Sequence, residues 1–351
     1  MAIYALWNNK GGVGKSYLTF QIASEYARIH PNQKVLVIDL CPQANSSGML
    51  LGGMIAGEQE LDRLAAHTPR KTISGYIEDR ITSPYVNPKT GTAYVIQIES
   101  YNSFIPENLY LVAGDEQLEI QASRVLGATN PGPTDAWRIV HTWISDLIAD
   151  IKHSWNQDTM TVFIDCNPSF SIYTELALSA SDRLIIPFSA DGSSKRAVRA
   201  VLALLYGINR SQGAQRSEFF LNSDRFKLSI PEIYCYVGNR LTQYVKSAEA
   251  FNTVVKEIGD EIWAVWSANK NRFCIHPSDA DVPNTRSKFR QMFQFEIVDA
   301  NTASVVSSTL GIPIVKLTAG PKQVADKIIQ VNQSQLERQQ PNIRDLVAMI
   351  E

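Results

Sequence analysis

The sequence lacks the features that mark membrane proteins and disulfide-stabilised proteins. None of its 351 residues belongs to an uninterrupted apolar run of about 18 residues, the length of a membrane-spanning helix. The four cysteines are widely spaced and form no CxxC pair, so neither a zinc knuckle nor a disulfide framework is indicated. The N-terminus has the pattern of a strand and a loop, not that of a signal peptide. We therefore expect a cytoplasmic protein whose thiols stay reduced.

The sequence also lacks an excess of charge of either sign. A formal net charge of −2 excludes a globally basic nucleic-acid-binding protein, although it leaves room for a local basic patch. The composition, 44% hydrophobic and 19% charged, is that of an ordinary globular chain. No internal repeat or low-complexity tract is evident. We expect residues 1–351 to form a single domain with an elaboration.

The first 40 residues predict a βαβ unit. A short apolar strand over residues 2–7 leads into a glycine-rich loop, a helical pattern over 15–29 and a β-branched run over 34–40. Further candidate strands cover residues 161–165, 183–188, 232–237 and 312–315, with a helix near 173–179. This alternation predicts an α/β fold with a mostly parallel, doubly wound sheet flanked by helices.

Two stretches fit this alternation less well. Residues 52–155 are interpreted in part as an insertion after the second strand, with a hairpin in the turn-rich residues 83–94, the apolar run 108–113 and an amphipathic helix over 135–151. Residues 322–351 are expected to form one or two surface helices, interrupted near Pro341.

The strongest functional signal is a glycine-rich loop at the first strand-to-helix junction. Glycines at positions 11, 12 and 14 let backbone N–H groups turn toward phosphate oxygens at a helix N-terminus. Lys15 is predicted to bind the phosphates and to act in catalysis, and the Ser16 hydroxyl is predicted to hold Mg²⁺. The predicted nucleotide-binding residues are Lys10, Gly11, Gly12, Val13, Gly14, Lys15, Ser16 and Tyr17.

The spacing of this loop departs from the common G-x-x-x-x-G-K-[ST] pattern. Asn9 stands where the first glycine would be, and Lys10 is an additional lysine. The loop resembles the deviant Walker A motif, KGGxxK[ST], of the ParA/MinD family, and the ParA-type partition ATPases most of all. The resemblance implies a P-loop NTPase fold, ATP and Mg²⁺ as ligands, and a homodimer in the ATP state. It also implies that Lys10 reaches the partner's nucleotide and stabilises charge at the transferring phosphoryl group.

Three further segments extend the resemblance. Residues 35–47 resemble the family's second strand and first switch, which implies that Asp39 orients the attacking water and contributes to the metal site. Residues 161–169 resemble the Walker B strand, which implies that Asp165 is a Mg²⁺ partner, bound directly or through water. Residues 237–240 resemble the base-binding turn, with Asn239 on the adenine edge or as a plain turn residue. The sequence departs from the family where Cys41 replaces an acidic residue, and at Cys166 and Asn167.

Other members of this family use the same fold differently. The cysteines at 41 and 166 lie inside the switches, and no further suitable pair indicates an iron–sulfur cluster between subunits. The last residues carry Arg344 as their single cation, so we expect no stable membrane anchor of the MinD kind. A metabolic phosphoryl-transfer or ligase enzyme on the same fold is a further alternative.

The resemblance to ParA-type members implies a partition or positioning ATPase that binds nonspecific DNA in the ATP state, which requires cations on one face. Between residues 195 and 290 there are 15 Lys and Arg against 9 Asp and Glu, which is consistent with a patch for nonspecific DNA or with an ordinary solvated surface. The candidate DNA-binding residues are Lys195, Arg196, Arg199, Lys270, Arg272, Arg286, Lys288 and Arg290. The resemblance implies a ParB-like adaptor protein as a second partner, and association with the nucleoid in the ATP state.

Overall fold

The fold is built around a twisted, mostly parallel sheet. The structure is a computed structural model that describes residues 1–130, 132–156, 159–209, 215–241 and 245–351, with the backbone alone for 240, 241 and 245–251. Its strands are β1 (Ala2–Leu6), β2 (Lys34–Asp39), β3 (Ile96–Gln97), β4 (Leu109–Val112), β5 (Met160–Asp165), β6 (Arg183–Phe188), β7 (Glu232–Leu241) and β8 (Gln294–Val298). Their order is β3-β4-β2-β5-β1-β6-β7-β8, and β3 alone among these described strands is antiparallel to its neighbour.

Helices cover both faces of the sheet, which confirms the predicted α/β class. They are α1 (Lys15–Ile29), α2 (Asn45–Leu50), α3 (Gly53–Ala66), α4 (Ile73–Thr82), α5 (Leu118–Thr129), α6 (Ala136–His141), α7 (Trp143–Trp155), α8 (Ile172–Ser179), α9 (Ser194–Tyr206), α10 (Glu218–Phe226), α11 (Val245–Ala268), α12 (Arg286–Phe293), α13 (Thr302–Leu310) and α14 (Gln333–Ala348). Short 3₁₀ turns occupy Gly91–Tyr94, Ile98–Ser100 and Lys270–Arg272. No helix in the described part of the chain combines the length and the apolar character of a membrane span.

Alternate residues of each central strand enter two separate cores. In β1, Ile3 and Ala5 pack with α4 to α12, whereas Tyr4 and Leu6 pack with α1, α2, α3, α13 and α14. Because both faces are covered, the strands read as continuous apolar runs, as expected for a parallel sheet. This burial fixes the carboxyl ends of β1, β2 and β5 side by side, where the glycine-rich loop and two aspartates lie.

The segment 52–155 is joined to the sheet. It supplies β4, which pairs in parallel with β2, and the short edge strand β3. The hairpin predicted at 83–94 is wrong, because residues 91–94 form a 3₁₀ turn and the antiparallel pair forms later, between β3 and β4. The helix predicted over 135–151 is two helices, broken at Thr142, whose backbone is not helical (φ −91°, ψ 0°).

The predicted strand at 312–315 is wrong. The Ile314 amide donates to the Gln21 side chain at 2.7 Å, and the Pro313 carbonyl accepts hydrogen bonds from the amides of residues 316 and 317. The backbone of this segment is therefore not paired with a neighbouring strand. Ile314 is buried, and Ile312 and Val315 are partly buried, in the core that contains α1 and α13. The edge strand of the sheet on this side is β8, which the sequence pattern did not predict.

The C-terminal segment is not helical throughout. An antiparallel hairpin forms from β9 (Gly320–Val324) and β10 (Lys327–Val331), turning at Ala325 with φ 50°. The expected interruption at Pro341 is also wrong, since α14 runs through it. Pro341 lies on the exposed side of α14, where the carbonyl that loses its amide partner can face water.

Candidate functional site

The glycine-rich loop adopts a conformation that only glycine supports easily. Gly12 (φ 75°) and Gly14 (φ 84°) lie in the left-handed region, immediately before α1 begins at Lys15. A side chain at Gly14 would also collide with Asn239, whose Nδ2 lies 2.1 Å from the position of a Cβ atom. No side chain caps the first amides of α1, and the start of this helix lines a cavity.

This cavity has a volume of about 420 Å³ and joins the loop to both switch segments. Its lining residues are Gly11, Gly12, Gly14, Lys15, Ser16, Tyr17, Cys41, Gln43, Asn45, Gly48, Met49, Met54, Glu58, Cys166, Pro168 and Ser308. The contributions of α3 and α13, through Met54, Glu58 and Ser308, could not be predicted because nothing local to those helices indicates them. Two larger cavities, of about 570 and 770 Å³, lie beside α9 and α11 and among α5, α6, α8 and α10, away from the loop backbone.

Lys15 is buried at the base of the cavity. It is 6% exposed, and its Nζ donates to the Lys10 carbonyl at 2.9 Å and to the Asn8 carbonyl at 3.4 Å. Burial lowers the pKa of this ammonium, and the nearby Asp165 carboxylate opposes that effect. A cation in this setting favours an anionic ligand such as a phosphate.

Asp39 holds the segment that follows β2, residues 40–47. Its carboxylate accepts bonds from the Ser46 hydroxyl (2.8 Å), the Ser47 hydroxyl (2.7 Å), the Ser47 amide (3.1 Å) and the Cys41 amide (3.0 Å). It is fully buried, and burial raises its pKa. Asp39 thus fixes the backbone and the serine side chains of this segment, in addition to the water-orienting and metal-binding roles that the resemblance implies. Ser46 and Ser47 were not singled out from the sequence, although both follow Asp39 in the same segment.

Asp165 lies directly beside Asp39 in the sheet register and is equally buried. Neither of its carboxylate oxygens has a hydrogen-bond partner in the described structure. Burial first, and the neighbouring Asp39 charge second, raise the pKa of Asp165 to about 7, while the hydroxyls of Ser16 and Ser46 lie close enough to lower it somewhat. A buried carboxylate with both oxygens free, beside a second carboxylate and close to a serine hydroxyl, fits a Mg²⁺ ion, which prefers oxygen ligands.

Two cysteines stand at the ends of the same strands. Cys41 and Cys166 line the cavity and are buried, and burial raises the pKa of Cys41 to about 12. Both are therefore neutral thiols at physiological pH. With neutral thiols at these two positions, Asp39 and Asp165 are the two buried carboxylates at these strand ends in the described residues.

Lys10 lies outside the cavity that Lys15 lines. The Lys10 ammonium points to the loop after β6, where it bonds to Asp191, to Ser189 Oγ at 3.1 Å and to Ser194 Oγ at 3.3 Å, none of which lines the cavity.

Asn239 is buried, and its Nδ2 donates to the Val13 carbonyl at 3.0 Å. Its contact with an adenine edge stays a prediction, and its observed contact supports the loop.

The candidate DNA-binding cations share one face, built from α9, α11, the turn at Lys270–Arg272, and α12. Four of them pair with carboxylates of α11: Lys195 with Glu257 (2.8 Å), Arg199 with Glu261 (2.8 Å), and Arg286 and Arg290 with Asp260 (3.0 and 3.6 Å). Arg196, Lys270, Arg272 and Lys288 have no ion pair within the described residues. The face is therefore less positive than the count of cations along the sequence indicates.

Fold and site together define a P-loop nucleotide-binding protein. A family model described as an AAA domain (AAA_31) matches residues 1–219. The chain belongs to this family, which is of the ParA/MinD type.

Comparisons with individual proteins agree on the fold. An uncharacterised protein of Pseudomonas putida is 25% identical over 194 residues, 54% of this chain and 56% of the relative, so the match spans about half of each. Cyanothece McdA without nucleotide superposes with a TM-score of 0.58 at 13% identity, covering 98% of both chains. A putative plasmid partition protein of Borrelia burgdorferi bound to AMPPNP gives a TM-score of 0.50 at 15% identity, covering 99% of this chain and 98% of that one.

Replacing Lys15 tests the phosphate-binding assignment. Lys15→Ala is expected to lower ATP affinity by about one to two orders of magnitude, because a buried charge-assisted bond to phosphate is removed. Titration with a fluorescent ATP analogue measures this, with Lys327→Ala, an exposed lysine on β10, as the control. Unchanged affinity in a folded Lys15→Ala protein would contradict the assignment.

The pKa of Asp165 predicts an unusual dependence of stability on pH. Because its folded pKa, about 7, lies above its unfolded value of about 4, the folded chain holds a proton that the unfolded chain has released within this window. Stability should therefore fall as pH rises from 4 to 7 and stay low above 7. Asp165→Asn should raise the melting temperature of the nucleotide-free protein at pH 8 by about 2–4 °C or more, and change little near pH 4.

Thermal unfolding scans from pH 4 to 8 measure this effect, with Asp281→Asn as a control for an exposed carboxylate. Mg²⁺ with ADP should stabilise the wild type at pH 8 more than it stabilises Asp165→Asn. Identical pH profiles for the wild type and Asp165→Asn would contradict the raised pKa of Asp165 in the folded protein.

Proposed function

We propose that the protein is an ATP-dependent partition or positioning ATPase of the ParA type, which dimerises around ATP and binds nonspecific DNA in that state. The observation that carries the proposal is the separation of its two loop lysines. Lys15 lines the cavity together with Ser16, whereas Lys10 points away from it to the loop after β6. A lysine that bonds outside its own cavity could bind the nucleotide of a second copy of the chain once it leaves its present acceptors.

The residues of the cavity divide the chemistry of hydrolysis. Lys15 and the amides at the start of α1 would hold the phosphates, and Ser16 with Asp165 would hold Mg²⁺, which neutralises phosphate charge when bound. Asp39, fixed by four hydrogen bonds, would orient the attacking water. Lys10 of the partner would stabilise the charge that develops on the transferred group, an effect of about 10³ to 10⁵ in rate for arginine fingers.

The membrane-positioning alternative finds less support. The apolar residues of α14, among them Leu336, Ile343 and Leu346, are buried against α1 and β8. They are therefore not available to lie on a bilayer while the helix stays packed. DNA and an adaptor protein remain the proposed partners, in agreement with the likeness to a plasmid partition protein.

Variants of Lys10 and Asp39 should fail in opposite ways. Lys10→Ala should keep ATP binding but lose ATP-dependent dimerisation and reduce hydrolysis by about 10³. Asp39→Asn keeps the shape of the side chain while weakening control of the water, so it should accumulate as an ATP-bound dimer with little turnover. Light scattering with ATP, ADP and no nucleotide, together with phosphate release, measures both effects.

The wild type provides the decisive comparison for this pair. If it hydrolyses ATP without DNA or a small-molecule acceptor and dimerises with ATP, the partition class is supported. Efficient turnover by a protein that stays monomeric throughout would contradict the shared-site dimer and favour the metabolic alternative.

The ion pairs on the basic face sharpen the prediction of DNA binding. Arg196 and Lys288 are exposed and have no ion pair within the described residues, so neutralising both as Arg196→Gln and Lys288→Gln should weaken ATP-dependent DNA binding for all sequences. The slope of log affinity against log salt should fall by about one for each DNA phosphate that is no longer neutralised by a cation of the protein. Fluorescence anisotropy across a salt series measures it.

The matched control neutralises two exposed cations on the opposite face of the sheet, Lys327 and Arg338. That variant should bind DNA like the wild type. If the two double variants weaken binding equally, the α9–α12 face is not the DNA-binding surface.

A further inference from the structure

The loop between β6 and α9 forms a binding site for the Lys10 ammonium. Because β6 pairs with β1, this loop lies beside the P-loop, and Asn8 Nδ2 donates to the Pro187 carbonyl at 2.7 Å to join the two. An ammonium group has three N–H donors. All three have acceptors here: Asp191, Ser189 Oγ and Ser194 Oγ.

Asp191 is oriented by its own loop, independently of Lys10. One carboxylate oxygen accepts the Ser193 amide (3.0 Å) and the Ser193 hydroxyl (2.8 Å), and the other accepts the Ser189 hydroxyl (2.7 Å). The counter-ion is therefore in place before the lysine binds. The Lys10 side chain is 22% exposed and that of Asp191 is 47% exposed, so the pair lies at the surface, where a second protein can reach it.

The charge state of Asp191 allows an ion pair with Lys10 across the whole physiological pH range. Partial burial raises its pKa, but the hydrogen bond from Lys10, followed by those from Ser189 and Ser193, outweighs this effect and keeps the pKa below its usual range. The carboxylate is thus ionised throughout physiological pH. Its hold on Lys10 can be changed by a competing anion but not by ordinary changes of pH.

We propose that Asp191 is the resident counter-ion of Lys10, and that ATP-dependent dimerisation exchanges this carboxylate for phosphate oxygens bound to a second copy of the chain. The inference rests on the proposed function. With all three donors occupied, Lys10 cannot bond to a partner's nucleotide until it leaves Asp191. Asp191 therefore opposes dimerisation and shifts the equilibrium toward the monomer, since each dimer must break two such pairs.

A variant that retains the loop isolates this role. Asp191→Asn keeps an oxygen that can accept the Ser193 amide, and it removes the charge that holds Lys10. Asp191→Glu keeps the charge and should restore wild-type behaviour in part. Asp281→Asn, an exposed carboxylate elsewhere, is the control for the change in net charge.

The contact itself is tested on nucleotide-free protein by the rate at which an amine-reactive acetylating reagent labels Lys10, read by tandem mass spectrometry. A surface ion pair of this kind should protect the lysine about two- to fivefold. Labelling should be faster by this factor in Asp191→Asn than in the wild type, in Asp281→Asn or in Asp191→Glu. Equal labelling rates in all four proteins would overturn the inference.

The competition is tested by the dimer dissociation constant with ATP and Mg²⁺, measured by sedimentation. Asp191→Asn should dimerise more tightly, by about two- to fivefold for each of the two pairs released. Faster labelling with unchanged or weaker dimerisation would show that Asp191 touches Lys10 but does not compete with the partner, and would overturn the exchange. A wild type that fails to dimerise would instead overturn the proposed function, with the labelling experiment still reporting on the contact.

Discussion

The structure depends on two carboxylates buried side by side. Asp39 and Asp165 end adjacent parallel strands in matched register, both fully buried, and Asp165 lacks any hydrogen-bond partner in the described residues. Burying two like charges is costly unless a cation compensates. Lys15 supplies part of that compensation, and a Mg²⁺ ion held by Ser16 and Asp165, as proposed, would supply the rest. The strand order places these carboxylates at the carboxyl edge of the sheet, where the P-loop opens, so they fit a divalent cation that would bind together with a phosphate-bearing ligand.

The two lysines of the loop extend the same electrostatic logic across two chains. Lys15 bonds within its own cavity, and Lys10 bonds to Asp191 on a neighbouring loop. In the proposed mechanism, Lys15 binds the nucleotide of its own chain and Lys10 binds the nucleotide of a second chain. On this account, ATP binding and dimerisation are coupled by an exchange of partners for a single ammonium group, without a large rearrangement of the core.

The parts of the fold that could be predicted from sequence are those encoded by local patterns. The βαβ unit and the P-loop follow from apolar runs interrupted by glycines, and the same runs place Asp39 and Asp165 at strand ends. The roles of the two aspartates are implied by the family resemblance and stay predictions. Other features depend on distant contacts. The Ile314 amide is taken by Gln21, so an apolar run that resembles a strand is not one. The carboxylates of α11 pair with half of the candidate DNA-binding cations, which a count along the sequence cannot show. The pairing of Lys10 with Asp191 likewise joins residues far apart in the chain.

The most direct test of the account is the position of Lys10 in a crystal structure of the Asp39→Asn variant with ATP and Mn²⁺, whose anomalous signal locates the metal. The account predicts a dimer in which the metal lies at Ser16, with Asp165 bound to it or to its water, and in which each Lys10 has left Asp191 for the partner's phosphates. A nucleotide-loaded structure in which Lys10 stays on Asp191, or in which the metal avoids Ser16 and Asp165, would contradict it.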